Sequence, residues 1–260
     1  MVSNKKIGII GVGMVGGSLK RWFESQNITP YLYDKYKNLG SLNEVNKADY
    51  IFICLPTPFG KNGCDTSLVE EGIKSIKGNK VVIIKSTIIP GTTDKLQKKY
   101  KQHKILFNPE FLTEATADQD MNYPDRQIVG YTKESYTIAK DIILILPLAP
   151  FERIVPAFMA EFIKYYNNTW FATKVSKNNE MYDIFKAFGG TDEEYRSVAE
   201  CVGADKRIGQ SHLEIWHKGY RGYGGKCLPK DTKAFIKFAE KLKVNIPITR
   251  AVDDYNDHIR

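Results

Sequence analysis

Residues 6–19 read Lys-Ile-Gly-Ile-Ile-Gly-Val-Gly-Met-Val-Gly-Gly-Ser-Leu, and they constrain the fold of this chain more than any other stretch. A short β-branched run enters Gly11-x-Gly13-x-x-Gly16 and leaves into a helical pattern carrying Leu19, Trp22 and Phe23. Strand, glycine turn and helix in that order form the dinucleotide-binding fingerprint: Gly11 makes the tight turn, Gly13 admits a pyrophosphate, and Gly16 permits close helix packing. The amino end of the helix then faces the phosphates. The next strand, Tyr31-Leu-Tyr, ends in Asp34 about twenty residues on, where the fingerprint requires an acid for the ribose hydroxyls. A carboxylate there repels a 2′-phosphate, so NAD is expected rather than NADP.

Apolar strands and helical stretches alternate from there: Tyr50 to Leu55, Leu68 to Ile76, then Val81 to Ile84. This is the alternation of a doubly wound sheet. The strands run into Pro56-Thr57-Pro58, Lys85-Ser86-Thr87 and Asn108-Pro109-Glu110, and carboxyl ends of strands form the ligand crevice in such sheets. The pattern changes near Pro150. From Ala157 to about Phe188 no Gly or Pro interrupts one long helix, and a shorter helix is predicted from Asp192 to Cys201. The expected fold is α/β, a Rossmann-type doubly wound and mainly parallel sheet over residues 1–153, followed by an all-helical domain over residues 154–260.

With 260 residues the chain has enough apolar side chains for a real core. Its net charge of +8 comes from scattered lysines, with no basic stripe interleaved with aromatics, so a nucleic-acid partner is not expected. The charge suits anionic ligands such as NAD. No apolar stretch spans a bilayer and the start reads as a strand rather than a leader, so neither a membrane segment nor a signal peptide is expected. Cys54, Cys64, Cys201 and Cys227 fall in no metal-ligand spacing; no metal is expected, and a reducing cytoplasm is the expected home.

Gly222-Tyr-Gly-Gly-Lys-Cys-Leu-Pro-Lys-Asp231 places a lone thiol between a glycine-rich loop and a helix start. Gly222, Gly224 and Gly225 would let backbone approach a bulky ligand, and Pro229 suits a first helical turn. Amides at the helix start, with Lys226 and Lys230, favour a thiolate at Cys227; Asp231, four residues on, shares its face and is placed to handle protons. On the long helix Glu161, Lys164 and Asn168 fall at helical spacing, and Glu110 and Glu114 repeat that spacing elsewhere.

Taken in order, these landmarks resemble the UDP-glucose/GDP-mannose dehydrogenase family from about Lys6 to the last residues. They are the glycine fingerprint, Leu55-Pro-Thr-Pro58, Lys85-Ser-Thr87 with Pro90-Gly-Thr-Thr93, Asn108-Pro-Glu-Phe-Leu-Thr-Glu114, Pro124-Asp-Arg126, Ala160-Glu-Phe-Ile-Lys164 with Asn168-Thr169, Arg207-Ile-Gly209 and Gly224 to Asp231. The resemblance implies oxidation of the primary alcohol of a nucleotide sugar to a carboxylate, with two NAD reduced in turn. UDP-glucose is the expected substrate, with GDP-mannose or a UDP-N-acetylhexosamine as alternatives. By the same resemblance Cys227 is the nucleophile, Lys164 and Asn168 stabilise oxyanions, and Asp231, Glu110 and Thr87 order water and move protons. NAD contacts are expected from Gly11, Gly13, Met14, Val15, Gly16, Asp34, Pro56, Thr57, Thr87 and Glu114. Substrate contacts are expected from Glu110, Phe111, Leu112, Glu114, Lys164, Asn168, Arg207, Tyr223, Gly224 and Gly225. Arg207 resembles an arginine that reaches a neighbouring subunit's site, which implies a homodimer through the helical domain. Family members usually continue into a second nucleotide-binding fold, so the chain reads as a short form that lacks it; a half-enzyme needing a partner chain, or an inactive NAD-binding module, is the alternative. The segment from Gln210 to Gly222, with Trp216 and His217, is longer than in many members.

Overall fold

The computed structural model describes residues 5–260, so the first four residues of the expected first domain lie outside the described residues. The chain forms two compact units: one holds the residues up to Pro58 and from Asp65 to Lys164, the other Phe59–Cys64 and Tyr165–Arg260.

The first unit is a sheet covered by helices. Its strands are β1 (Ile7–Ile10), β2 (Tyr31–Asp34), β3 (Leu39–Gly40), β4 (Tyr50–Ile53), β7 (Val81–Ile84), β8 (Lys104–Phe107), β9 (Arg126–Tyr131) and β10 (Phe151–Pro156), while β5 (Phe59–Gly60) and β6 (Gly63–Cys64) form a hairpin of the second unit. The spatial order is β10-β9-β8-β7-β4-β1-β2-β3. All pairings are parallel except β8 with β9 and β2 with β3. Helices α1 (Met14–Ser25), α2 (Leu42–Val45), α3 (Ser67–Lys74), α4 (Thr92–Lys99), α5 (Ala117–Asn122) and α6 (Ala139–Ile145) connect them. Because β1, β4, β7 and β8 are apolar on both faces, two cores result, one around Ile51, Ile53, Ile84 and Phe107 and the other around Leu19, Phe23, Phe52 and Ile83. The expected α/β doubly wound, mainly parallel sheet is therefore present.

Two expectations differ in detail. A boundary after residue 153 falls inside β10, whereas the units divide within α7 (Ala157–Ala187), between Lys164 and Tyr165. The reason is packing: Ala157 and Ala160 are fully buried, and a Cβ on Gly130 of β9 would meet both at 2.9 Å. The helical spacing of Glu110 and Glu114 is also coincidental, because residues 108–116 are irregular. The Glu110 carboxylate accepts the Leu112 N–H at 2.8 Å, and Asp120 accepts the Thr113 N–H at 2.7 Å. Side chains thus take up the amides that a helix would use.

The second unit holds the remainder of α7, α8 (Asp192–Gly203), α9 (Leu228–Lys241) and α10 (Pro247–Ile259), with the β5–β6 hairpin held to α9 by the Lys241 Nζ bond to the Asn62 carbonyl at 2.8 Å. Helix α8 starts on a capping box in which Thr191 and Glu194 satisfy each other's amides. Ala172, Val175, Tyr223 and Val252 form one buried cluster, and Tyr182, Tyr195 and Ile215 another. Among the described residues no helix is long and apolar enough to cross a membrane.

Candidate active site

The fingerprint forms a cradle at the carboxyl end of β1. Gly11 sits at φ +89°, a conformation that side chains resist, and a Cβ there would lie 2.5 Å from the Cys54 carbonyl oxygen. A Cβ on Gly16 would meet the Gly11 oxygen at 1.9 Å, so this glycine lets α1 approach the turn. Gly13 differs: it is exposed, and a Cβ added there meets nothing within 4 Å. That open space lies where a pyrophosphate belongs, beside the first turn of a helix with no acidic residue in it. Asp34 ends β2; its Oδ2 accepts the Val12 N–H at 2.8 Å and its Oδ1 accepts the Tyr36 and Lys37 amides at 3.0 and 3.1 Å. These bonds lock the carboxylate against the glycine turn and leave Oδ2 able to accept from a ribose hydroxyl. The residues present therefore fit a dinucleotide.

The adjacent carboxyl ends of β4, β7 and β8 carry the next group. Thr57, buried after β4, donates its hydroxyl to the Thr87 carbonyl at 2.7 Å, tying two strand ends together, while Pro56 is exposed beside it. Lys164, only 5% exposed, places Nζ 2.9 Å from Glu110 Oε1 and 2.7 Å from the Glu110 carbonyl. Lys164 therefore does not lie on a solvated helix face. Burial by itself would raise the Glu110 pKa, but the charge and hydrogen bond of Lys164, the Leu112 amide and the charge of Lys85 together hold it below the usual carboxylate range. The Phe111 ring lies beneath the Lys164 ammonium at 5.6 Å and beneath the Arg126 guanidinium at 3.9 Å. Leu112 is half-buried in this connection, whereas Glu114 is exposed in the following turn.

Lys85 and Asn108 enter the sequence reading only as landmarks, yet both are buried here. Lys85 Nζ donates to Asn108 Oδ1 at 2.5 Å, and Asn108 donates in turn to the Ile128 carbonyl at 2.8 Å. Burial lowers the Lys85 pKa to about 8 and pushes the neighbouring Cys54 thiol up to about 12. The sequence signal for this cation was a lysine directly following the apolar run Val81–Ile84.

In the second unit Cys227 stands at the N-cap of α9 with its side chain exposed and making no cap bond. Asp231 follows one turn later, its N–H donating to the Cys227 carbonyl at 3.0 Å. Its carboxylate is 1% exposed, accepting from Asn168 Nδ2 at 2.6 Å through Oδ2 and pairing with Lys230 at 2.5 Å through Oδ1. Lys230 thus serves Asp231 rather than the thiol alone. Two glycines of the loop differ from expectation. A Cβ on Gly222 would lie 2.5 Å from Asn256 Oδ1 and one on Gly224 2.4 Å from the Tyr220 hydroxyl, so both are small for the protein's own packing. Only Gly225, φ +73° with nothing within 4 Å, faces open space. The Tyr223 side chain is 2% exposed, with its hydroxyl on Asp253 at 3.1 Å, which leaves only its backbone for a ligand. Arg207 is 89% exposed and forks onto Asp205 at 2.6 Å. Of the residues expected to do chemistry, Thr87, Glu110 and Lys164 belong to the first unit and Asn168, Cys227 and Asp231 to the second.

A βα glycine cradle with an acid at the end of the second strand defines the first unit as an NAD-binding domain of the Rossmann class. Residues 34–143 match the profile of the UDP-glucose/GDP-mannose dehydrogenase family, NAD binding domain, and residues 159–258 match the central domain of the same family. The chain belongs to that family, and NAD is its cofactor. It is 34% identical over 260 residues to a UDP-glucose 6-dehydrogenase of Rickettsia conorii, covering 96% of this chain and 56% of the relative, and 31% identical over 249 residues to the UDP-glucose 6-dehydrogenase AglM of Haloferax volcanii, covering 87% and 56%. The chain thus spans about half the length of the curated relatives it matches. Among solved structures, a UDP-glucose dehydrogenase from Pyrobaculum islandicum superposes with a TM-score of 0.83 at 28% identity, over 98% of this chain and 68% of that one.

Proposed function

We propose that this chain carries the NAD-binding and catalytic parts of a nucleotide-sugar dehydrogenase that oxidises the primary alcohol of UDP-glucose to a carboxylate. The observation that bears the reading is the buried Lys164–Glu110 pair, 2.9 Å apart, together with an exposed thiol one turn from a buried carboxylate at the start of α9. The fingerprint, Asp34, Pro56 and Thr57 would hold NAD, which when bound would supply the hydride acceptor for each of two oxidations. Met14 and Val15, in the first turn of α1, would flank its phosphates.

Lys164 and the Asn168 amide stabilise the alkoxide and later oxyanions, which is preorganised electrostatic stabilisation. The first oxidation leaves an aldehyde. Cys227 adds to it, a proton moves to the new oxygen, and the thiohemiacetal becomes a thioester by giving up the second hydride from carbon and that same proton from oxygen. Water, ordered by Asp231, Glu110 and the Thr87 hydroxyl, hydrolyses it and restores the thiol. The Glu110–Leu112 connection, Glu114 and the Gly225 backbone contribute to sugar binding. A homodimer fits the exposed Arg207 and the half-exposed Phe158, Phe162, Tyr166 and Trp170, which recur every four residues along α7. The four cysteines, which fall in no metal-ligand spacing, fit a reducing cytoplasm.

The test is NADH absorbance with NAD and UDP-glucose, with GDP-mannose and a UDP-N-acetylhexosamine as parallel substrates. Two NADH per sugar are expected from the parent, and loss of that turnover from Cys227→Ser. Turnover that survives Cys227→Ser refutes the thiol mechanism, and no turnover with any of the three sugars refutes activity of this chain by itself.

A further inference from the structure

Two segments that mark the sequence, Pro90-Gly-Thr-Thr93 and Ala160-Glu161, have no part in the chemistry assigned above. In the first unit they meet. Glu161 is fully buried; its Oε2 accepts the Gly91 N–H at 2.5 Å, and its Oε1 accepts the Thr93 N–H at 2.8 Å and the Thr93 hydroxyl at 2.6 Å. Helix α4 starts after Gly91, a residue at φ +90° that has no side chain to cap with. A carboxylate from another helix therefore does what a serine or aspartate N-cap does locally, in a place where water is excluded and an unpaired amide is costly.

The placement of this bond matters more than its strength. The connection from Ile84, the last residue of β7, to Gly91 carries Lys85 and Thr87, and Glu161 holds its far end. Glu161 also precedes Lys164 by three residues, close to one helical turn, and Lys164 grips Glu110. We propose that Glu161 is a positioning residue: by capping α4 from α7 it fixes the Thr87 connection and the Lys164–Glu110 pair in one frame. The chemical meaning of that frame rests on the function proposed above; the frame itself does not.

A cap that served α4 alone would leave Glu110 indifferent to its loss, and this separates the two roles. Amide hydrogen exchange is measured on the full chain for the parent, Glu161→Ala, Glu161→Gln and Thr93→Val. The Gly91 and Thr93 amides should exchange at least about tenfold faster in Glu161→Ala, and so should the Leu112 amide, which is bonded to Glu110, by at least about fivefold. Glu161→Gln, which keeps the shape and one acceptor, should recover part of the protection at both places. If Leu112 is unchanged while Gly91 and Thr93 accelerate, Glu161 is only a cap and the proposal fails. Should Glu161→Ala not fold, Glu161→Gln and Thr93→Val decide on the same criterion, each with smaller shifts at both places. Where the parent oxidises a nucleotide sugar, Glu161→Ala should lower kcat at least about tenfold with KM for NAD within about twofold, and Glu161→Gln should restore part of it; an unchanged kcat overturns the proposal. A parent inactive on every sugar sinks the proposed function, and the Leu112 result still decides for or against Glu161.

Discussion

Replacing Lys164 by Met should reverse the pH dependence that Glu110 gives to the first unit. The pair is 2.9 Å apart with side chains 6% and 9% exposed, so removal of the ammonium strands a carboxylate away from water. Losing one partner of a buried pair costs about 3–5 kcal/mol, against a total stability of about 5–15 kcal/mol for a domain. In the parent the Glu110 pKa is depressed, so its contribution is present above the ordinary carboxylate value of 4.5 and is lost as pH falls through the lower folded value. Without Lys164, burial prevails and the folded pKa rises above 4.5. The folded variant then binds more protons than the unfolded chain, and stability declines as pH rises toward the new value, by up to about 1.4 kcal/mol per pH unit. Urea unfolding at several values between pH 5 and 8 measures this. Trp22 is the first unit's one tryptophan, so its fluorescence in a Trp170→Phe, Trp216→Phe background reports that unit. The quantity to plot is the parent-minus-variant difference, in which other titrating groups cancel. It should grow with pH, and Lys164→Met with Glu110→Gln should flatten it and recover more than half of the loss. A difference below about 1 kcal/mol at pH 8, or one that does not change with pH, would refute the reasoning.

Gly16→Ala should destabilise the first unit by about 3 kcal/mol or more, because its Cβ overlaps the Gly11 oxygen, whereas Gly13→Ala should leave urea stability within about 0.5 kcal/mol yet weaken NAD at least about tenfold in a fluorescence titration. Asp34→Ala should weaken NAD and narrow the preference over NADP by about tenfold or more, read as the ratio of the two dissociation constants. Burial raises Glu161 to about 7, so between pH 4.5 and 7 the folded state holds the extra proton; parent stability relative to Glu161→Gln should fall across that window by up to about 3 kcal/mol and level off above it, in urea unfolding at pH 4.5 and 8.

What the sequence disclosed about this molecule is what neighbouring residues decide among themselves. Alternating apolar strands and helices, the fingerprint glycines and the uninterrupted run of α7 are local patterns, and all appear where periodicity and turn chemistry place them. The misread features depend on residues outside the spacing that suggested them. Gly222 and Gly224 look like ligand-facing glycines in a loop, but Asn256 and Tyr220 set their size. Glu110 and Glu114 share a helical spacing, but the Glu110 and Asp120 carboxylates take up the Leu112 and Thr113 amides instead. The site itself shows the same division. Glu161 and Lys164 stand three apart on one helix, opposite in charge, and local rules would pair them with each other. The fold sends them elsewhere: Lys164 to Glu110, 54 residues earlier, and Glu161 to Gly91, 70 residues earlier. Each is buried and bonded to backbone as well as side chain, which a mutual surface pair on α7 would have left unsatisfied. Spacing on a helix shows which charges share a face; only the strand ends they land on decide whether those charges neutralise one another or hold separate parts of a site in place.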